Sequence, residues 1–403
     1  MQATVESNQL SSLLTKFNEP ETLKMAKLGR ELRAKGVDVI DLSLGEPDFD
    51  TPVHIKEAAK KAVDDNFSHY TPVAGYLDLR EAVCTKLKRD NQLDYKPENI
   101  VVSTGAKQSL ANIILAVADA GDEVIIPAPF WVTYSELVKI AGGVPVIVPT
   151  TMENNYKMTA AQLEANISDR TKLFLFSSPC NPSGSVYSRS ELEALAAVFR
   201  SHPEILIISD EIYEYINFVG KHESIAQFDD IKDRVIIVNG LSKGFAMTGY
   251  RLGYIAANAT IAKACEKIQG QFTSGTNAVT QRAAIVALTT DLKPTYDMTE
   301  EFARRRKRVM QLISEIPGWK CAEPDGAFYV FPEVDAYFGK SDGEQTIENA
   351  DDLCMYLLNV AHVSTVTGRA FGTPKCIRLS FANSMEKIES AYVRIKEALG
   401  KLK

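Results

Sequence analysis

Seven short apolar runs between residues 99 and 257 constrain this chain more than any other feature. They read NIVVS (99–103), EVIIP (123–127), VPVIVP (144–149), KLFLFS (172–177), ILIIS (205–209), RVIIVN (234–239) and LGYIAA (252–257). None alternates apolar with polar, so each predicts a strand buried on both faces. Such strands need helices above and below them, which is the layout of a mostly parallel α/β sheet. Helix-like segments separate the runs as required. In AKQSLANIILAVADAG, for example, Leu110, Ile113, Ile114 and Val117 share one face.

After about residue 295 the pattern changes to a long helix, then PDGAFYVFPEV, HVSTVTG and KCIRLSFA, and a closing helix. This predicts a smaller α+β domain, which the mostly helical first 45 residues join. A chain of 403 residues is long enough for both domains. Within EEFARRRKRVMQLISEI, Phe302, Val309, Leu312, Ile313 and Ile316 recur at helical spacing, so the basic run 304–308 predicts a solvated helix face. A net charge of −7 gives no reason to expect a nucleic-acid or membrane partner. No run approaches the length of a membrane span, and the N-terminus lacks the pattern of a secretion leader. Six cysteines without paired spacing and five histidines without an HExxH pattern predict a cytoplasmic protein with reduced thiols and no metal site.

The residues just past each run carry the chemistry. Thr104-Gly105-Ala106-Lys107 leads into a helix; Trp131, Asn181, Asp210 with Tyr213, and Ser242 with Lys243 come after four further runs. Parallel strands put their carboxyl ends on one edge, where open α/β sheets bind ligands, so these residues should converge. Taken singly, Asp210 suits a cap, Trp131 a core, Asn181 a turn and Lys107 a solvated first helical turn. Together they ask for one ligand. A helix starting at Gly105–Ala106 offers free N–H groups to a phosphate, and Arg251 adds a forked cation. Trp131 offers a flat face to an aromatic ring. A buried Asp210 needs a cationic partner such as a protonated ring nitrogen. Lys243, with Tyr213 nearby, offers an amine to an aldehyde. Phosphate, ring, basic nitrogen and aldehyde describe pyridoxal 5′-phosphate.

With these residues assembled, the sequence resembles the fold-type I pyridoxal-phosphate aminotransferases, and within them the class I bacterial aspartate and aspartate/prephenate branch. The likeness runs in order through SLGEPDFDTP, HYTPVAGYLDLREAV, STGAKQSL, PAPFWVTY, SSPCNPSG, SDEIYEYI, SKGFAMTGYRLGY, PDGAFYVF and IRLSFA. It implies a large cofactor domain over 47–295, an N-terminal arm over 1–46 that contributes to the small domain, and a small C-terminal domain over 296–403. It implies that Lys243 carries the cofactor, that Asp210 pairs with the ring nitrogen, and that Tyr213 and Asn181 reach the phenolic oxygen. Trp131 resembles the ring-stacking residue. Gly105, Ala106, Lys107, Ser242 and Arg251 resemble the phosphate cup and its surroundings. Tyr70 resembles a tyrosine that reaches the phosphate of the neighbouring subunit, which implies a homodimer. Arg378, with Asn181, Trp131 and Gly45, resembles the α-carboxylate grip. Lys107 and Thr22 resemble residues that read a distal carboxylate, although Asn18 stands where a basic residue is expected. The implied reaction moves the amino group of aspartate, or a related acidic amino acid, to 2-oxoglutarate in ping-pong fashion. Prephenate or aromatic transamination and, further off, carbon–sulfur lysis are the alternatives.

Overall fold

The computed structural model describes residues 10–403. Among these, the strands in chain order are β1 (Ile40–Asp41), β2 (Ile100–Ser103), β3 (Glu123–Ala128), β4 (Val144–Pro149), β5 (Thr171–Ser177), β6 (Leu206–Asp210), β7 (Val235–Gly240), β8 (Gly253–Ala256), β9 (Tyr329–Val330), β10 (Val363–Ser364), β11 (Val366–Thr367) and β12 (Ile377–Ser380). All seven apolar runs enter one sheet of order β2-β8-β7-β6-β5-β3-β4. The β4–β3, β3–β5, β5–β6 and β6–β7 pairs are parallel. Both faces are buried as the continuous apolarity requires. Phe174 and Phe176 of β5 face one core, while Leu173 and Leu175 face the other.

Two expectations change. The run LGYIAA forms β8, which lies antiparallel to both β7 and β2. The connection 241–252 folds as turns and a single turn of 3₁₀ helix at the strand ends instead of a crossover helix, so the chain returns beside β7 in the opposite direction. VPVIVP is not buried on both faces: it pairs with β3 alone, and Val144 is exposed. An edge tolerates Pro145 and Pro149, which lack an N–H for a second neighbour.

The chain ends share a second core. β1 pairs with β10 in parallel, and β11-β12-β9 form an antiparallel sheet. Met25 and Leu42 pack in the cluster that holds Phe302, Val309 and Leu379. The basic run on helix Lys293–Ser314 is not uniformly solvated, a further correction. Arg304 is exposed, but Arg305 is buried and binds Asp48 at 2.6 Å and Glu301 at 3.0 Å. Its place three residues after Phe302 and four before Val309 puts it on the packed face. No helix among the described residues is long and apolar enough to cross a membrane.

Candidate active site

The carboxyl ends of β5, β6 and β7 open onto a cavity of about 320 Å³, closed on the other side by Gly45, Tyr329 and Arg378 of the second core's elements. Asn181, Asp210, Tyr213, Ser242 and Lys243 line it as the strand-end argument requires. Ala106, Lys107, Trp131 and Arg251 complete one wall, and Thr22 lies at the rim. Two of the predicted residues do not line it. Gly105 stands behind Arg251, and Tyr70 is fully exposed at the surface.

The cradle at the helix start depends on Gly105. Its φ of 85° is in the left-handed region, and a Cβ there would lie 2.5 Å from Arg251 Nη2. Helix Ala106–Val117 begins directly after it, so unpaired N–H groups of its first turn and the guanidinium share one corner. Arg251 Nη1 donates to Thr248 O at 3.0 Å, which fixes the fork.

Asp210 ends β6 and is 4% exposed. Tyr134 donates its hydroxyl to Oδ2 at 2.6 Å, and Ile212 N–H donates to Oδ1 at 3.2 Å. Burial pushes the carboxyl up to about 6, against the opposing pull of these two donors. Lys243 donates to the Gly45 carbonyl. Burial lowers its ammonium to about 8; Arg378 and Arg251 push the same way, while Glu46 and Asp210 oppose them. Tyr213 and Tyr329 share a hydroxyl–hydroxyl bond of 2.8 Å. Burial and that neighbour hold the Tyr213 phenol well above its ordinary range.

Arg378, on β12, is 1% exposed. It donates to Asn181 Oδ1 at 3.0 Å and to Ser43 O at 2.5 Å, and its Nε has no partner among the described residues. Its guanidinium carbon lies 4.5 Å from the Tyr329 ring centre, which sets the plane of the fork. Lys107 lies with its ammonium 5.0 Å from the Trp131 ring centre. Burial and Arg251 lower its pKa, and among the described residues it pairs with no carboxylate.

Several lining residues escaped sequence reasoning. Tyr134 lies one helical turn after Trp131, a spacing that could have pointed to it. Ser177 ends β5, so the strand-end rule extends to it. Tyr329 follows Phe328 in PDGAFYVF and only the fold brings it to Tyr213.

This donor set fits pyridoxal 5′-phosphate. Lys107, Lys243, Arg251 and Arg378 line the cavity against only Glu46 and Asp210, an excess of positive charge suited to a phosphate and carboxylates. The Gly105 cradle leaves room where a Cβ would intrude, and among the described residues the buried Asp210 carboxylate meets no cation at hydrogen-bond distance.

Comparison with known proteins agrees. Residues 37–395 match the family model described as aminotransferase class I and II. The chain is 44% identical over 401 residues to a bifunctional aspartate aminotransferase and glutamate/aspartate-prephenate aminotransferase of Petunia hybrida, covering 98% of this chain and 83% of that one. It is 42% identical to an aspartate/prephenate aminotransferase of Nitrosomonas europaea, covering 97% and 100%. The crystal structure of the aspartate aminotransferase from Rhizobium meliloti superposes with a TM-score of 0.95 at 38% identity, over 98% of this chain and 100% of that one. The Thermus thermophilus aspartate aminotransferase with maleate gives 0.91 at 36%, over 96% and 99%. This chain therefore belongs to the class I and II aminotransferases and is a pyridoxal 5′-phosphate-dependent enzyme.

Proposed function

We propose that the protein transfers the amino group of aspartate, or a related acidic amino acid, to 2-oxoglutarate. The observation that carries this reading is a cavity in which, besides Lys243 and Arg251, two further cations pair with no carboxylate among the described residues: the buried Arg378 fork and Lys107 beside Trp131. A substrate with two carboxylates satisfies both. The maleate that accompanies the Thermus thermophilus enzyme is a dicarboxylate, which supports the same reading.

When bound, the cofactor would supply an electron sink conjugated with the substrate α-carbon through the amino nitrogen. The chain's own groups do the rest. Arg378 and Asn181 grip the α-carboxylate and so aim the Cα–H bond. Lys243 Nζ, lowered to about 8 by burial, gives up its proton far more easily than an ordinary lysine and would take the proton from Cα and return it. Asp210, held by Tyr134, would keep a proton on the ring nitrogen. Ala106, Ser242 and Arg251 would hold the phosphate, with Lys107 beside them and Gly105 leaving room for the Arg251 fork, while Trp131 would cover the ring. Tyr213 and Asn181 would bind the phenolic oxygen. Thr22 and Gly45 line the substrate side.

Prephenate as amino acceptor is the second reading, favoured by the name of the Nitrosomonas relative. We further propose a homodimer in which the fully exposed Tyr70 reaches its partner's phosphate. The proposed domains are 1–46 with 296–403 and 47–295, supported by the pairing of β1 with β10. A cytoplasmic setting is supported by six free cysteines, four of them buried.

The test is Lys107→Ala assayed with a panel of donors. A charge-assisted contact contributes roughly 1.5–3 kcal/mol, so kcat/KM for aspartate should fall about 10-fold to 100-fold. A neutral donor such as alanine should change much less. Equal losses for all donors would mean that the substitution disturbed the phosphate cup, and acidic specificity would lose its support. Prephenate turnover in the wild-type protein decides the second reading.

A further inference from the structure

We infer that Tyr134 is a positioning residue for the ring-nitrogen site, acting through a hydroxyl that locks and ionises Asp210. The inference rests on the reading of Asp210 proposed above. The contact is short at 2.6 Å, and both partners are buried, Tyr134 at 1% exposure and Asp210 at 4%. With Ile212 N–H on the other oxygen, each carboxylate oxygen accepts one donor, so the plane of the group is set from two elements. Tyr134 is itself held rigidly. It lies in the first turn of helix Thr133–Ala141, donates its N–H to Trp131 O at 2.9 Å, and meets the Trp131 ring edge-on at 5.6 Å. One short segment therefore places both the indole that covers the ring and the hydroxyl that orients the carboxylate at its nitrogen.

The direction of the effect follows from the chemistry of the pair. A phenol donates one proton, and burial beside Asp210 raises the Tyr134 pKa well above its ordinary range, so it remains a donor throughout the working pH range. Its bond favours the charged carboxylate over the neutral acid. The remaining titratable groups facing Asp210 are Glu211 next to it in the chain, Lys243 after β7, Tyr213 in the following turn and Cys180 after β5. Of these only Lys243 favours the carboxylate, whereas Glu211 opposes it. Without the phenol, burial would dominate and Asp210 would hold its proton to higher pH. A neutral carboxyl cannot stabilise a protonated ring nitrogen.

The experiment uses the cofactor-free full-length protein with ¹³C-labelled aspartate carboxyls, in which Asp210→Asn identifies the Asp210 signal. Tyr134→Phe keeps the ring and removes the hydroxyl. It should raise the Asp210 titration midpoint by about one pH unit, the equivalent of about a tenfold change in proton affinity. In the loaded enzyme the acidic limb of kcat/KM should rise by a similar interval. Should Tyr134→Phe fold poorly, 3-fluorotyrosine at position 134 preserves the packing, donates more strongly and should move the midpoint downward. An unmoved Asp210 midpoint in the folded variant, or in the fluorotyrosine protein, overturns the inference. Because the titration needs no cofactor, that failure is distinct from failure of the ring-nitrogen reading, which the turnover of Asp210→Asn reports.

Discussion

At the scale of single residues, the site is set by burial working against charge. Asp210 is buried and Lys243 half-buried, and desolvation moves each toward neutrality, the carboxyl up to about 6 and the ammonium down to about 8. That helps one proposed task and hinders the other. An ammonium that gives up its proton more easily than usual suits the base proposed for Lys243, whereas a carboxylate proposed to face a ring nitrogen must stay charged, so Asp210 depends on its hydrogen-bond donors. Asp210→Asn preserves shape but removes the charge proposed to keep a ring nitrogen protonated. Cofactor retention should be largely kept, while kcat should fall on the order of 100-fold, the size of loss seen when one preorganised electrostatic group is removed. Steady-state kinetics alongside the visible spectrum of the purified variant check this. A variant turning over near the wild-type rate would remove Asp210 from the chemistry.

At the scale of elements, the strand-to-helix turn after β2 is where backbone conformation becomes a binding surface. Gly105 combines a left-handed φ with close approach to Arg251, and neither tolerates a side chain. Alanine there is strained in the folded state by more than about 1 kcal/mol, and it pushes the guanidinium out of the corner it shares with the helix N-terminus. Gly105→Ala should therefore weaken cofactor binding by about 10-fold or more, as read by titrating cofactor-free protein through quenching of its Trp131 fluorescence. The fold itself should survive, with far-ultraviolet circular dichroism unchanged. An affinity equal to wild type would show that the cradle does not depend on this turn.

At the scale of the whole molecule, a buried ionic network behind the site ties the helical layer to the sheet. Lys86, on helix Leu77–Asn91, is fully buried and binds Glu214 and, at 2.7 Å, Asn91 Oδ1. Asn91 in turn donates to Glu214 at 3.0 Å, and His222 lies 3.1 Å from Glu211. For His222, burial works against the charge, but Glu211 outweighs it and the pKa rises above the ordinary 6.5. For Glu211, burial is likewise outweighed, by His222, Ser224 and Ser209, and the pKa falls below 4.5. A raised histidine contributes stability that is complete below pH 6.5 and lost as pH climbs through its folded value. The depressed glutamate contributes above pH 4.5 and loses that contribution as pH falls through its own folded value. His222→Gln should cost about 1–3 kcal/mol near pH 6, where a buried acceptor loses its charged donor. It should also flatten the decline of stability above pH 6.5. Urea unfolding of both proteins across this range measures it, and parallel profiles would exclude His222 as the titrating group.

The seven central strands were legible because continuous apolarity is a local property, written within five or six neighbouring residues. Lys243, Asp210, Tyr213, Asn181 and Trp131 were legible as a group because parallel strands share one carboxyl edge, whatever the details of packing. Arg378 and Tyr70 were reachable only through resemblance, since a lone charged or aromatic residue carries no address. The direction of β8, the edge position of β4 and the burial of Arg305 were not legible, because each depends on which element lies alongside. The same holds for the contacts that tune the site. Tyr134 meets Asp210 across 76 positions, and Arg378 meets Asn181 across 197. Sequence by itself determined the α/β layers, the edge on which the candidate site gathers and most of the residues that line it. Only the tertiary structure decided which of them touch, how deeply each charge is buried and therefore which way each proton equilibrium moves. Desolvation and hydrogen bonding depend on neighbours in space, and those neighbours lie far apart along the chain.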